Sequence, residues 1–286
     1  MSPLPPLLVL SHLQATQLLA ARDALQRSAT VSPDLGLTQA EVTLYPDRVA
    51  FGEERDFTWA EVEEIAAAPN TCFAVCAGGL HPIQAFSVVT QRFCSLMATK
   101  AAPTLLIAGF PMHRIKDADP CQDTLSKIRA IAPVVGRVLD TATGLGYTAI
   151  EASRTAAHVV TIELDPAVLE VARLNPWSQE LFGNAKITQL VGDSAELVET
   201  LPGGTFSRII HDPPTFSLAG QLYSGAFYRQ LVRLLTQNGR VFHYLGDPSS
   251  ALGQRVTKGA LGRLREAGFA RVRPSPQAFG VVAYKS

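Results

Sequence analysis

The sequence predicts an α/β fold with a mostly parallel sheet and helices on both faces, preceded by a smaller α+β domain. Two patterns carry this expectation. From Val134 onward, short β-branched apolar runs alternate with segments of helical periodicity. The runs are nearly continuous in apolar residues, as in Val159-Val160-Thr161-Ile162, which suits strands covered on both faces. In addition, an acid lies at the end of nearly every run, where ligands sit in such sheets.

In order, RVLD, HVVTIELD, ITQLVGD, SRIIHDPP and GRVFHYLGD read as five strands, each followed by a helical segment. The pair ARVRPSP and FGVVAYKS reads as a closing hairpin, which brings the sheet to seven strands over residues 132–286. Before it, residues from about Ser11 to Arg27 have helical spacing. A hairpin is expected across Tyr45-Pro46-Asp47-Arg48, and a capping box of Thr58 with Glu61 opens a short helix. Further apolar runs complete an accessory domain over residues 1–110, which carries no catalytic constellation. Residues 111–131 form a polar link containing His113, Arg114, Lys116, Asp117 and Asp119. It is either solvated or laid across the ligand of the following turn.

Composition narrows the function. The chain has 286 residues, 47% hydrophobic and 17% charged, so it can bury a large core. Its formal net charge is zero, and nothing global favours nucleic acid or an acidic membrane. No segment is long and apolar enough to span a bilayer, and a cytoplasmic protein is expected. Cys72, Cys76, Cys94 and Cys121 read as buried thiols in a reducing compartment, with no metal site. The run Arg255–Arg273 holds Arg255, Lys258, Arg263, Arg265, Arg271 and Arg273 against the single acid Glu266. A solvated amphipathic surface is favoured there over a phosphate-tracking face, so nucleic acid is a less favoured partner.

The chemistry centres on G136-RVLDTATGL-G146. A strand that ends in Asp140 and turns through small residues into a helix makes a nucleoside- or phosphate-binding turn. Ala142 stands where a dinucleotide fingerprint has its first glycine. Glu163, at the second strand end, is placed to accept both hydroxyls of a ribose. Asp193, at the third, could accept from an adenine amine. Asp212-Pro213-Pro214 ends the fourth strand, and Asp247 follows the fifth.

The order D-T-A-T-G-L-G, I-E-L-D-P, V-G-D-S and H-D-P-P resembles the class I methyltransferases that use S-adenosylmethionine, over roughly residues 132–286. The run LNPWSQELF with DPPTFSLAGQLYS is similar to predicted archaeal-type members. The resemblance implies a Rossmann-like sheet with S-adenosylmethionine as cofactor. It places Asp140, Ala142, Thr143, Gly144, Gly146, Glu163, Leu164, Asp193, Ser194 and Asp212 around that cofactor. In members that methylate amines, a similar loop holds the target nitrogen through the acid and a proline carbonyl. This implies catalytic roles for Asp212 and Pro213, with Pro214, Thr215, Phe216 and Tyr223 near the substrate. The aromatic comes one place late, at Phe216, which leaves a small amine, an amide or a protein or RNA nitrogen as the acceptor. His211 should pack inward, and Trp177 and Phe182 read as core aromatics before a lid. Two rivals remain: an aminopropyltransferase of the spermidine-synthase kind using decarboxylated S-adenosylmethionine, and a non-catalytic nucleoside- or RNA-binding module. The methyl acceptor and the oligomeric state are not legible.

Overall fold

A computed structural model describes residues 8–52, 55–76 and 79–286. The apolar start at residues 1–7 and the side chain of Cys76 lie outside what is described. The chain forms two compact units: residues 1–121 with 167–179, and residues 122–166 with 180–286.

The first unit is mixed α+β. Ser11 and Gln14 form a capping box that starts the helix His12–Asp23. Thr58 and Glu61 form a second, ahead of the helix Trp59–Ala66. The hairpin expected at Tyr45–Arg48 joins Ala40–Leu44 to Arg48–Phe51 within a four-stranded antiparallel sheet. Leu10, Leu18, Val42, Val49, Phe57, Val62 and Ile65 build its core. Cys72 and Cys94 are buried and Cys121 is partly so.

The second unit carries the seven-stranded sheet. Its strands are β1 (Arg137–Asp140), β2 (His158–Glu163), β3 (Ile187–Val191), β4 (Phe206–His211), β5 (Leu235–Tyr244), β6 (Arg271–Ser275) and β7 (Gly280–Tyr284). The spatial order is β3-β2-β1-β4-β5-β7-β6. Strands β1 to β5 run parallel, and β7 is antiparallel to both of its neighbours. The expected hairpin therefore exists, but its second strand lies inside the sheet and its first at the edge. The helices of this part of the chain are α1 (Pro120–Ala130), α2 (Tyr147–Ser153), α3 (Pro166–Arg173), α4 (Gln179–Gly183), α5 (Ser194–Thr200), α6 (Gly225–Leu234) and α7 (Ala251–Glu266). Most of α3 groups with the first unit.

Alternation along the strands divides two cores. Val138, Val159, Ile210, Phe242 and Val282 face Ile131, Ala149, Ile150 and Ala152. Leu139, Val160, Ile162, Ile209, Val241 and Val281 face Val198, Phe227, Leu231, Ala260 and Leu264. Helices thus cover both faces. Among the described residues no helix is long and apolar enough to cross a membrane.

The turn after β1 depends on glycine. Gly146 caps α2 at φ 79°, and a Cβ built there would lie 2.7 Å from Leu181 Cδ2. Gly146→Ala is expected to cost about 1–2 kcal/mol from the left-handed backbone alone, with a further cost from the overlap. In denaturant unfolding, the G146A/L181A double variant should lose less than the sum of the two single variants.

Candidate active site at the carboxyl edge of the sheet

Strand β1 pairs with β2 on one side and β4 on the other, so the chain reverses direction across the sheet at β1. In open α/β sheets the ligand crevice lies at such a switch point, beyond the strand ends. The expected acids stand there, in different surroundings.

Asp140 is fully buried. Its Oδ2 accepts from the Thr148 hydroxyl at 2.9 Å and the Thr161 hydroxyl at 3.2 Å, and its Oδ1 faces the Ala142 N–H at 3.5 Å. Thr161 also meets Thr143 through their hydroxyls at 2.6 Å. Burial pushes the Asp140 carboxyl up to about 7, against the pull of these donors. Asp140 is thus the floor of the turn, with its donors supplied by the protein.

The turn above it contains two left-handed glycines, Gly144 at φ 53° and Gly146. Ala142 is not among the positive-φ residues, so a methyl group there costs no backbone strain. That explains the departure from the glycine fingerprint.

Glu163 ends β2 and is buried. Its Oε2 accepts the Gly144 N–H at 2.8 Å and its Oε1 the Asp165 N–H at 3.1 Å. A carboxylate has about four acceptor positions, so one on each oxygen suits a vicinal diol. Burial raises this carboxyl too, to about 7, while the two N–H donors oppose the shift. Leu164 beside it is 41% exposed, an apolar surface next to the strand end.

Asp193 caps α5 by accepting the Ala195 N–H at 2.7 Å. Ser194 donates to the Thr141 carbonyl at 2.6 Å, which ties α5 to the turn after β1. Asp247 accepts from the Ser249 N–H and hydroxyl, leaving Ser250 to cap α7. Of the five strand-end acids, Asp193 and Asp247 therefore hold local backbone.

Asp212 follows β4, and the structure gives it a partner not anticipated from sequence. Lys127 on α1 places Nζ 2.6 Å from Asp212 Oδ2 and 2.6 Å from Asp123 Oδ2. The side chains of Lys127 and Asp123 are 2% and 1% exposed, and that of Asp212 is 19% exposed. The ammonium also lies 5.0 Å from the centre of the Tyr244 ring at the end of β5. Burial alone would lower the Lys127 ammonium, but Asp212 and Asp123 more than offset it and hold the group charged. The signal in the sequence was the four-residue spacing of Asp123 and Lys127 in a helical pattern just ahead of β1.

Pro213 is buried and Pro214 partly so, while Thr215 and Phe216 are exposed. Tyr223 donates its hydroxyl to the Pro214 carbonyl at 3.0 Å, and its ring meets Phe216 edge to face at 5.4 Å. Burial, then the charge of Asp212, raises the Tyr223 phenol, so it stays protonated. Tyr223 thereby braces the loop.

Beneath it, His211 and His243 are fully buried with ring centres 4.3 Å apart. His211 Nε2 faces the Leu222 carbonyl at 2.9 Å and must donate, so Nδ1 accepts from the Thr141 hydroxyl at 2.7 Å. His243 Nδ1 faces the His211 carbonyl at 3.2 Å, and Nε2 meets the Tyr228 hydroxyl at 2.9 Å. Burial lowers His211 to about 3 and His243 well below its usual range, so both rings are neutral struts. Trp177 donates to the Leu35 carbonyl at 3.1 Å within the first unit, and Phe182 packs on the core of the second. Among the described residues, no three His, Cys, Asp or Glu side chains gather as a metal site.

Known proteins agree with this architecture. Over 258 residues the chain is 40% identical to the Uncharacterized protein MJ1233 of Methanocaldococcus jannaschii, covering 88% of each chain. The chain belongs to that family. Residues 123–242 also match a family described as Conserved hypothetical protein 95. Over 184 residues it is 29% identical to the demethylmenaquinone methyltransferase of Clavibacter sepedonicus, which spans 54% of this chain and 74% of that one. The spermidine synthase of Thermotoga maritima superposes with a TM-score of 0.55 at 19% identity, over 68% of this chain and 69% of that one. The fold is thus the Rossmann-like one shared by S-adenosylmethionine-dependent methyltransferases and spermidine synthases.

With a carboxyl near 7, Glu163 accepts a diol better once ionised. The affinity for S-adenosylhomocysteine measured by calorimetry should therefore rise with pH through about 7. Glu163→Gln should weaken binding and flatten that part of the profile.

Proposed function

We propose that the protein is an S-adenosylmethionine-dependent methyltransferase acting on a nitrogen. The observation that carries this reading is the Lys127–Asp212 contact at the switch point. A bare carboxylate stabilises a neighbouring amine as its ammonium, which has no lone pair to give. A carboxylate already sharing a buried ammonium exerts less of that pull. It still accepts an N–H bond, and so suits a nitrogen that must arrive neutral.

The residues present fit the cofactor. Glu163 keeps acceptor positions for ribose hydroxyls, the left-handed glycines let backbone approach closely, and Leu164 offers an apolar surface for a base. The bound cofactor would supply an electrophilic methyl group on a sulfonium. The chain's own part is positional: Asp212 and the rigid Pro213-Pro214 turn orient the acceptor nitrogen, and Lys127 and Tyr223 hold that turn in place. In this reading Asp193 and Ser194 serve the site mainly by fixing α5 against the cofactor turn.

A second reading is aminopropyl transfer from decarboxylated S-adenosylmethionine. The fold shared with spermidine synthase favours it. Holding a polycation calls for uncompensated carboxylates, and Lys127, shared with Asp123, partly compensates the one at the end of β4.

Calorimetry separates the two. Under the leading reading S-adenosylmethionine binds about tenfold or more tightly than its decarboxylated form, about 1.4 kcal/mol. Asp212→Ala should leave that affinity within about threefold. The reverse preference, with aminopropylated product from putrescine, would overturn the methyltransferase reading.

A further inference from the structure

We propose that the amino-end corner of the β5–β7–β6 edge is a binding site for the phosphodiester backbone of a nucleic acid strand. The strand register places Arg208, Arg240, Tyr284 and Arg271 side by side on β4, β5, β7 and β6. Residues directly opposite in a ladder share a face, so the three guanidiniums and the phenol form one row. Arg273, two residues beyond Arg271, lies on the same face.

Among the described residues the row has no ion-pair partner. Among the described residues Arg240, Arg271 and Arg273 make no ion pair or side-chain hydrogen bond, and the Arg240 Nε is buried without a partner. Tyr284 organises the pair beside it, with the Arg271 guanidinium 4.2 Å and that of Arg240 5.6 Å from its ring centre. Arg208 is buried and donates through Nε to the Ile131 and Pro133 carbonyls, so its positive charge backs the row. Burial and then the charge of Arg240 lower Arg208, the mark of like charges held together. An anion over Arg240 and Arg271 would relieve that repulsion.

The chemistry favours phosphate in a chain. Guanidinium forks match phosphate oxygens bidentately and stay charged at any working pH. Arg240 to Arg271 is two strand spacings, about 10 Å, and Arg271 to Arg273 is about 7 Å along the strand, which suits successive phosphates rather than one ion. Arg271 and Arg273 are exposed on an edge strand. The sequence offered a different six-residue set, Arg255–Arg273. The structure withdraws Arg263, which donates to the Tyr223 carbonyl, and adds Arg240. The acceptor crevice lies at the opposite ends of these strands, so the site stands independently of the proposed activity.

The test is fluorescence anisotropy of labelled poly(U) on the whole protein at several salt concentrations. The wild type should bind at about 50 mM salt, and R271Q/R273Q should lose about tenfold in affinity. Its slope of log affinity against log salt should shrink by about 1.4, or about 0.7 for each phosphate that is no longer neutralised. Both positions are exposed, so folding should survive. R240Q should add to the loss, and R265A on α7 should change neither quantity. Absence of binding by the wild type, an unchanged slope in R271Q/R273Q, or an equal loss in R265A would overturn the proposal. Loss of cofactor binding elsewhere in the protein would not affect this outcome.

Discussion

A buried ammonium sets the character of the ligand edge. Lys127 draws together α1, the turn after β4 and the end of β5, through Asp123, Asp212 and the Tyr244 ring. A charge so deeply buried persists only when paired, because the cost of removing it from water is several kcal/mol. The pairing therefore fixes where α1 lies on the sheet and which way Asp212 points. It also sets the local charge: two carboxylates share one cation, and only Asp212 of the three reaches toward solvent.

The other strand-end acids divide their work. Asp140 and Glu163 are buried and raised by the same cause, yet their donors differ. Hydroxyls of Thr148 and Thr161 occupy Asp140, making it a fixed floor. Backbone N–H groups of Gly144 and Asp165 hold Glu163 by its two oxygens and leave room on each. The neutral histidines below Asp212 add rigidity without charge, so among the described residues the buried cation beside the crevice's acids is Lys127.

Much of this was legible in the sequence where the cause is local. The helix start near Ser11, the capping box at Thr58, the five parallel strands, and Asp140 and Glu163 at their ends follow from spacing over a few residues. Ala142 looked irregular only because a glycine pattern was applied to a position that does not need positive φ. Long-range partners were not legible. Lys127 and Asp212 are 85 residues apart, and a lysine in a polar helical segment reads as solvated. The insertion of β7 between β5 and β6 also escaped the sequence, since a hairpin signal fixes pairing but not which strand faces the sheet. Trp177 finds the Leu35 carbonyl 142 residues away.

The most direct measurement is a double-mutant cycle on unfolding free energy with Lys127→Met and Asp212→Asn. Lys127→Met leaves Asp123 and Asp212 without their shared cation and should cost about 3–5 kcal/mol, whereas Asp212→Asn leaves Lys127 paired with Asp123 and should cost less. The double variant should cost less than their sum by about 2 kcal/mol or more. Additive costs, or a Lys127→Met variant within about 0.5 kcal/mol of the wild type, would contradict a buried ammonium shared by Asp123 and Asp212.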